Sequence, residues 1–364
     1  MPSPIRRVVL FEDDPKFGPD VERAIRRRLP VGFSLERFPL DRPPSRANGP
    51  YEDRVTTMLQ SSTFANAVLL VADRDLSASD WGGLSEAAIA RVGQELGLPM
   101  AWYARGSADQ EKLTRVPGDG RIGLPNVPSD LAHDVSVIAR GFVDLEQRLA
   151  SGRRRGRARP RSPGELLAGL LGEPAAASHL DSYACGDQRV VAEFLAASAD
   201  GAKAPNLRAR RRFVIALGVW IVDVVLRYPG VLLDEVAAAS YLDIHPNDFG
   251  LPSVRTLFRS AIWRNAPFVD ADKPRWWRLR LDDLLARNGV QLGLDLAKKK
   301  IKPGLRYCPC HVDASLHAGY YCMVTQKPVS QEHSVGPISW FPPGAELARI
   351  TRDIFDQVGP WLGA

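Results

Sequence analysis

The stretch IRRVVLFEDDP, residues 5–15, is the strongest structural signal at the start of the chain. Its middle, residues 8–11, is a short apolar run rich in β-branched residues, which is typical of a strand buried on both faces of a parallel sheet. Three acids follow at 12–14, where open α/β sheets place their ligands. Helical spacing of apolar residues begins again over 20–29. Because clustered carboxylates bind Mg²⁺, this order predicts a metal-dependent phosphoryl-transfer pocket.

Further strand and helix patterns extend this start to about residue 150. The run AVLLVA, residues 67–72, is the strongest candidate for a buried strand, and Asp73 follows it directly. Other strands are predicted over 33–38, 99–104 and 121–125, and helices over 51–61, 84–96 and 129–150. Strands that alternate with helices favour an α/β fold with a doubly wound parallel sheet, because right-handed crossovers pack the helices onto its faces.

The acids after the first strand and the aspartate after AVLLVA resemble the receiver domains of response regulators. The resemblance covers roughly residues 5–150 and implies a flavodoxin-like sheet. It places the acidic pair of that family on Glu12 and Asp13, and the phosphoacceptor on Asp73, with Asp75 as a weaker alternative. It also implies that Mg²⁺ binds in this acidic pocket.

Two positions depart from the receiver pattern. Receivers carry a Thr or Ser at the end of the fourth strand, where this chain has Tyr103, and a Lys before a Pro after the fifth, where it has Leu124. The lysine neutralises a phosphoryl oxygen among carboxylates, which leucine cannot do. The small hydroxyl links phosphorylation to surface rearrangement. These departures predict a degenerate receiver retained as a docking module, although a working phosphoacceptor stays an alternative.

A basic segment, SGRRRGRARPRSPGE at 151–165, predicts a boundary between domains. Its Gly, Pro and Arg residues disfavour compact structure, and like charges extend the chain. Such a segment is either a solvated linker or a grip for phosphate backbones. The arginines that would contact nucleic acid are Arg153, Arg154, Arg155, Arg157, Arg159 and Arg161.

The region after the linker resembles winged-helix domains in pattern rather than by signature residues. A helix over 232–241, a turn over 243–252, a second helix over 254–264 and a two-stranded wing over 266–281 are predicted. The second helix would enter the major groove of DNA. Winged-helix folds also serve as protein-binding modules, so both partners stay open. The outward side chains would be Arg255, Arg259 and Arg264.

Cysteine and histidine cluster near the C-terminus in the order Cys-x-Cys-His, His, Cys, His. Thiolates and imidazoles suit Zn²⁺. A structural zinc site is therefore predicted, with the ligands Cys308, Cys310, Cys322 and His333 and with His311 and His317 as alternates to the histidine. One alternative is ordinary buried cysteines in a strand-rich core. Another is catalysis, in which Cys310 or Cys322 is a nucleophile paired with His317 or His333.

Length and composition bound these hypotheses. A chain of 364 residues predicts two or three domains, with borders near 150, 165 and 300. The net charge of +6 allows an acidic partner. Four cysteines argue against a disulfide scaffold and favour a reducing compartment. The longest apolar run, 213–226, contains Asp223 and is too short to span a bilayer, so it predicts a buried helix in a cytoplasmic protein.

No nucleotide-binding glycine fingerprint, kinase motif set or serine-hydrolase elbow occurs in the sequence. The sequence therefore favours a non-enzymatic regulatory or adaptor protein. Its predicted organisation is a receiver-like domain over 1–150, a linker over 151–165, a mainly helical, winged-helix-like domain over 166–300 and a small Cys/His module over 301–364. Its C-terminal half would bind nucleic acid or a protein partner. The alternatives are a phosphorylation-switched response regulator and an enzyme with Cys/His or zinc chemistry.

Overall fold

The computed structural model describes residues 5–41, 50–81, 83–104, 121–154, 160–183, 185–199, 206–264, 266–301, 303–339 and 341–358. In chain order up to residue 225, the elements are β1 (Arg6–Phe11), α1 (Gly18–Arg28), β2 (Phe33–Arg37), α2 (Tyr51–Leu59), β3 (Ala67–Asp73), α3 (Glu86–Leu96), β4 (Met100–Tyr103), β5 (Ile122–Gly123), α4 (Pro128–Arg154), α5 (Pro163–Leu171), α6 (Ala177–Asp181), α7 (Gly186–Ala199), α8 (Leu207–Val219) and a π-helical segment (Trp220–Val225).

From residue 232 onward, the elements are β6 (Leu232–Leu233), α9 (Glu235–Tyr241), α10 (Pro246–Phe249), α11 (Pro252–Leu257), β7 (Trp276–Trp277), α12 (Arg278–Arg287), α13 (Gly293–Lys300), β8 (Tyr320–Cys322), β9 (Pro328–Val329), β10 (Ser334–Val335), β11 (Ala348–Thr351) and α14 (Arg352–Val358). Short 3-10 turns lie at Ser62–Phe64, Pro174–Ala176 and Arg259–Ala261.

The described residues fall into two compact units. The first unit draws its described residues from within 5–104, 121–154 and 186–223, and the second draws them from within 160–185 and 224–358. This division differs from the predicted borders in two ways. Residues 186–223 lie with the N-terminal sheet, and the region after residue 300 lies in the same unit as the residues from 224 onward.

Five parallel strands form the sheet of the first unit, in the order β2-β1-β3-β4-β5. The predicted parallel α/β sheet is thus confirmed. Residues 8–11 of β1 are fully buried, as an unbroken apolar run requires in a strand covered on both faces. Helices α2 and α3 bury Val55 and Ile89 against β1 and β3, and α4 packs on β3 and on α1.

Parallel pairing brings the carboxyl ends of neighbouring strands to one edge of the sheet. The register pairs Phe11 of β1 with Ala72 of β3, and Asp73 of β3 with Tyr103 of β4. The acids that follow β1 and the aspartate that ends β3 therefore lie side by side. The order of the strands in the sheet reverses between β1 and β3, because β2 lies on one side of β1 and β3 lies on the other. Ligands of open α/β sheets usually bind at the carboxyl end of the strands at this point.

Helices beyond the sheet complete the first unit. Helix α4 is 27 residues long and continues past its predicted end into the predicted linker. The predicted buried helix over 213–226 begins inside α8, whose residues 213 and 215–219 are buried. Phe213 of α8 stacks on Phe194 of α7 with ring centroids 4.1 Å apart.

The second unit contains two small sheets and a core of its own. Strands β6 and β7 pair antiparallel, and the other sheet has the order β10-β11-β8-β9 with a parallel pair between β11 and β8. Phe249, Phe258 and Trp276 are fully buried in its core. The Phe249 and Trp276 rings meet edge to face, with centroids 5.1 Å apart.

The element bounds in this unit differ from those predicted for a winged helix. The predicted helix over 232–241 starts only at Glu235, because Asp234 caps it by accepting the Ala237 N–H at 2.8 Å, and residues 232–233 form β6 instead. The predicted helix over 254–264 is shorter, since α11 ends at Leu257. The tryptophans of the predicted wing pair with β6, and Ile262 forms an isolated bridge with Trp276.

Candidate acidic site

Three carboxylates come together at the carboxyl edge of the first unit's sheet. Glu12 follows β1, Asp73 ends β3, and both side chains are fully buried, whereas Asp13 is partly exposed. One oxygen from each of the three lies within 4.8 Å of the other two. The structure therefore assembles the three residues that the sequence predicts for an acidic pocket.

Backbone amides fix the orientation of two of these carboxylates. The Asp14 N–H donates to Glu12 Oε1 at 2.7 Å, and the Asp75 N–H donates to Asp73 Oδ1 at 3.1 Å. Asp14 has a different role, because its carboxylate accepts the N–H groups of Lys16 and Phe17 at 2.6 and 2.9 Å. Asp14 thus shapes the turn into α1 rather than joining the cluster.

Tyr103 reaches the same cluster from β4. It is the last residue of that strand, its side chain is fully buried, and its hydroxyl donates to Glu12 Oε2. Both carboxylate oxygens of Glu12 therefore accept hydrogen bonds, one from Tyr103 and one from Asp14. Leu124 directly follows β5 and is tied to β4 by its N–H, which donates to the Trp102 carbonyl at 2.8 Å.

Arg37 is a residue of this edge that the sequence interpretation missed. It ends β2, and its Nη2 donates to the Glu12 carbonyl oxygen at 2.9 Å. Its Nη1 also lies 4.0 Å from a carboxylate oxygen of Glu22 on α1. The available signal was its position, because a polar residue at the carboxyl end of a strand beside β1 belongs to the ligand edge.

A cavity of about 540 Å³ opens beside the cluster. Asp13 connects it to the carboxylates, and Arg37, Asp41 and Asp80 add charged groups to its wall. Its remaining lining is mainly apolar and proline-rich, from Pro15, Pro19, Phe38, Pro39, Leu40 and Ala78, with Ser79.

The donor set at the cluster fits a hard divalent cation. Glu12, Asp13 and Asp73 supply only oxygen ligands, which Mg²⁺ prefers over nitrogen or sulfur. If Mg²⁺ binds here, these three residues would hold it, and it would offset the mutual repulsion of their charges.

The predicted nucleic-acid contacts lie in different surroundings. Arg153 and Arg154 lie in the last turn of α4, and Arg155, Arg157 and Arg159 lie outside the described residues. Arg161 is exposed, and its N–H donates to Glu165 at 2.7 Å. Arg255 is half-buried in an ion pair with Glu235 on α9, so it is not the free outward side chain that was predicted. Arg259 and Arg264 are exposed, as predicted.

The structure does not assemble the predicted zinc site. No three ligand atoms from the set Cys308, Cys310, Cys322 and His333, all of which are described, come within 4.8 Å of one another. Cys322 instead accepts the Thr325 N–H at 3.5 Å and contacts the Thr351 hydroxyl at 3.7 Å. Its sulfur thus stabilises a local turn and the neighbouring strand β11.

The thiol pKa values of two cysteines in this region are shifted in opposite directions. Burial and the nearby Asp243 carboxylate raise the pKa of the Cys308 thiol to about 12. Burial also acts to raise the pKa of Cys310, but backbone N–H groups of Asp313, Ser330 and Val312 bond its sulfur and lower the pKa overall. Amide donors favour the charged thiolate, because they replace its hydration inside the protein.

Each histidine near these cysteines has a separate partner. His317 Nδ1 lies 2.9 Å from Asp243, His311 Nδ1 lies 2.7 Å from the Pro328 carbonyl, and His333 Nε2 lies 3.9 Å from Asp313. None of these three histidines is hydrogen-bonded to Cys308, Cys310 or Cys322, all of which lie in the described part of the chain. The nucleophile-and-base pair required for thiol catalysis is therefore not formed in this arrangement.

Comparison of the chain with protein-family models, curated proteins and solved structures finds no match. None of the helices in the described part of the chain has both the length and the apolar composition of a bilayer span.

Proposed function

We propose that this protein is a non-enzymatic regulatory or adaptor protein of the response-regulator type. Its receiver-like unit binds a divalent cation at Glu12, Asp13 and Asp73 but does not undergo regulated phosphotransfer. The observation that carries this proposal is the hydrogen bond from Tyr103 to Glu12, made by a side chain that stands where receivers have a small hydroxyl.

The position of Leu124 supports the same function. A phosphoryl group on Asp73 would add negative charge beside two further carboxylates, and a cationic side chain near the end of β5 would be needed to offset it. Leu124 carries no charge and follows β5 directly. A phosphorylation-switched regulator is the weaker alternative for this reason.

The Cys/His region gives less support to an enzyme. Zinc or thiol chemistry needs its groups to converge, whereas Cys322, His311 and His317 of this region each have a separate partner. We therefore propose that the second unit binds a partner rather than catalyses a reaction.

Nucleic acid is the partner class that a specific arrangement favours for the second unit. Along the chain, β6, α9, the short helices α10 and α11, Ile262 and β7 follow one another, and β7 contacts both β6 and Ile262. This order is similar to that of a winged helix, with the loop between Ile262 and β7 in the position of the wing. Arg264 in this loop and Arg259 before it are exposed. A protein partner is the alternative.

A calorimetric titration of the full chain with Mg²⁺ tests the cation site. We expect saturable binding that Asp73→Asn and Glu12→Gln weaken by roughly tenfold or more, since each removes a charged ligand. Asp53→Asn and Glu95→Gln are matched controls on exposed parts of α2 and α3, and they should leave the affinity unchanged. Equal binding by all five proteins, or none by the wild type, would contradict the proposed site.

A further inference from the structure

We propose that the hydrogen bond between Tyr103 and Glu12, here termed the Tyr103–Glu12 clasp, closes over Asp73 and withholds it from phosphoryl donors. This inference rests on the proposed function, and it gives a physical reason why Asp73 would not undergo phosphotransfer. The receiver-like unit would be silent because a side chain of the protein itself occupies the approach to Asp73, and not only because a lysine is missing.

The order of the strands carries the first step. The clasp joins the ends of β1 and β4, and β3 lies between these two strands. Neighbouring strands are about 4.8 Å apart, so β1 and β4 are separated by about 10 Å. A hydrogen bond between side chains at their ends must therefore run across the end of β3, which is the position of Asp73.

Burial carries the second step. Glu12, Asp73 and Tyr103 each have no exposed surface. Phosphoryl transfer requires the donor phosphorus to come within about 3.5 Å of the attacking carboxylate oxygen along a clear line. A tyrosine ring and a glutamate that are packed over this carboxylate exclude a donor of that size.

The surroundings of Tyr103 hold the clasp in place. The Tyr103 carbonyl accepts the Arg74 N–H at 2.8 Å, so the end of β4 is tied to the residue that follows Asp73. On the other side, the Phe17 ring lies 6.3 Å from the Tyr103 ring. The tyrosine is thus fixed both by its backbone and by packing, which favours a permanent closure over an occasional contact.

Beryllofluoride with Mg²⁺, observed by ¹⁹F NMR on the full chain, tests the clasp. In this probe an Asp73 oxygen forms a bond to beryllium and displaces one water from it, so no oxidant or leaving group from the protein is involved. We expect no bound signal for the wild type. The double variant Tyr103→Thr/Leu124→Lys, which opens the clasp and supplies the cation, should show one, and adding Asp73→Asn should abolish it.

Two further variants separate the clasp from the missing lysine. Leu124→Lys alone leaves the clasp closed and should show no bound signal. Tyr103→Phe/Leu124→Lys removes the hydrogen bond but keeps the ring packed over Asp73, and it retains the fold if threonine does not. We expect its bound signal to exceed that of Leu124→Lys and to stay below that of Tyr103→Thr/Leu124→Lys.

Three outcomes would contradict the clasp, and one of them would also contradict the proposed function. Binding by Leu124→Lys alone would show that the lysine is sufficient and the clasp is no barrier. Absence of binding by both double variants, at unchanged circular dichroism and melting temperature, would reject the clasp but leave the proposed function standing. Binding by the wild type would reject both.

Discussion

Asp248 shows how one side chain can join two distant segments of the second unit. Its carboxylate accepts the Arg306 backbone N–H at 2.9 Å and the Arg306 guanidinium at 2.7 Å. These contacts hold the pKa of Asp248 at about 2, below its usual value of 3.8. A carboxyl group whose pKa is depressed in the folded state stabilises the protein above its unfolded pKa, and the stabilisation disappears as the pH falls toward the folded pKa.

We therefore expect Asp248→Asn to lower the free energy of unfolding by about 1 kcal/mol at pH 7, a value discounted because Arg306 is more than half exposed. The difference from the wild type should shrink as the pH falls from about 4 to 2. Urea unfolding at several pH values measures it. Asp283→Asn is the control, since the exposed Asp283 carboxylate lies 3.7 Å from the exposed Arg287 guanidinium. A difference that persists unchanged at pH 2 would contradict the pairing.

At the scale of elements, Tyr183 connects the segment after α6 to the chain that leads into β6. Its buried hydroxyl donates to the Tyr228 carbonyl at 3.1 Å and accepts the Val231 N–H at 3.0 Å. Gly230 and Gly344 lie against this tyrosine, and a Cβ on either would come within 2.2 Å of it. The close approach explains why both neighbours lack a side chain.

Tyr183→Phe should lower the free energy of unfolding by about 2 kcal/mol, because two buried backbone groups lose their partner without gaining water. Tyr307→Phe is a matched control, since the Tyr307 hydroxyl donates to the Ala314 carbonyl in an exposed position. Its loss should cost less than about 1 kcal/mol. Equal effects in thermal or urea unfolding would show that the Tyr183 hydroxyl has no special role.

The long buried strands were predictable from the sequence, whereas the two-residue strands β6 and β7 were not. Strands β1 and β3 carry apolar runs of four to six residues, which is enough to distinguish them from helices. Strands β6 and β7 have two residues each, so they show no periodicity, and their pairing depends on contacts more than 40 residues apart. The predicted wing would pair two strands that are close in the sequence, within 266–281, whereas the observed pairing joins β7 to the distant strand β6.

Contacts at the acidic site show the same limit. The sequence places Glu12, Asp13 and Asp73 at strand ends, and parallel pairing then brings them together without further information. The Tyr103–Glu12 clasp spans 91 residues and depends on a side-chain direction, which no spacing rule provides. The predicted zinc site does not assemble for a related reason. The sequence shows residue types that suit a metal, but it does not show whether the backbone directs their side chains toward one another.

For the whole molecule, the net charge of +6 can attract an acidic partner only through cationic side chains that are not already paired with a carboxylate. In the second unit, Arg255, Arg280 and Arg306 each contact a carboxylate of the same unit. Within the described part of the chain, Arg259 and Arg264 are exposed and have no carboxylate within ion-pair distance. Counting arginines in the sequence therefore overstates the charge that a phosphate backbone would meet.

Binding of the full chain to double-stranded DNA of mixed sequence, measured at graded salt, tests this distinction. If the unit binds nucleic acid, Arg259→Gln/Arg264→Gln should weaken it and make the slope of log affinity against log salt shallower by up to about 1.8, since each phosphate contact contributes about 0.9. Arg287→Gln removes an exposed arginine that already has a partner, Asp283 at 3.7 Å, and should change the slope much less. Equal slopes for all three proteins would exclude these arginines as phosphate contacts, and absence of binding by the wild type would favour a protein partner.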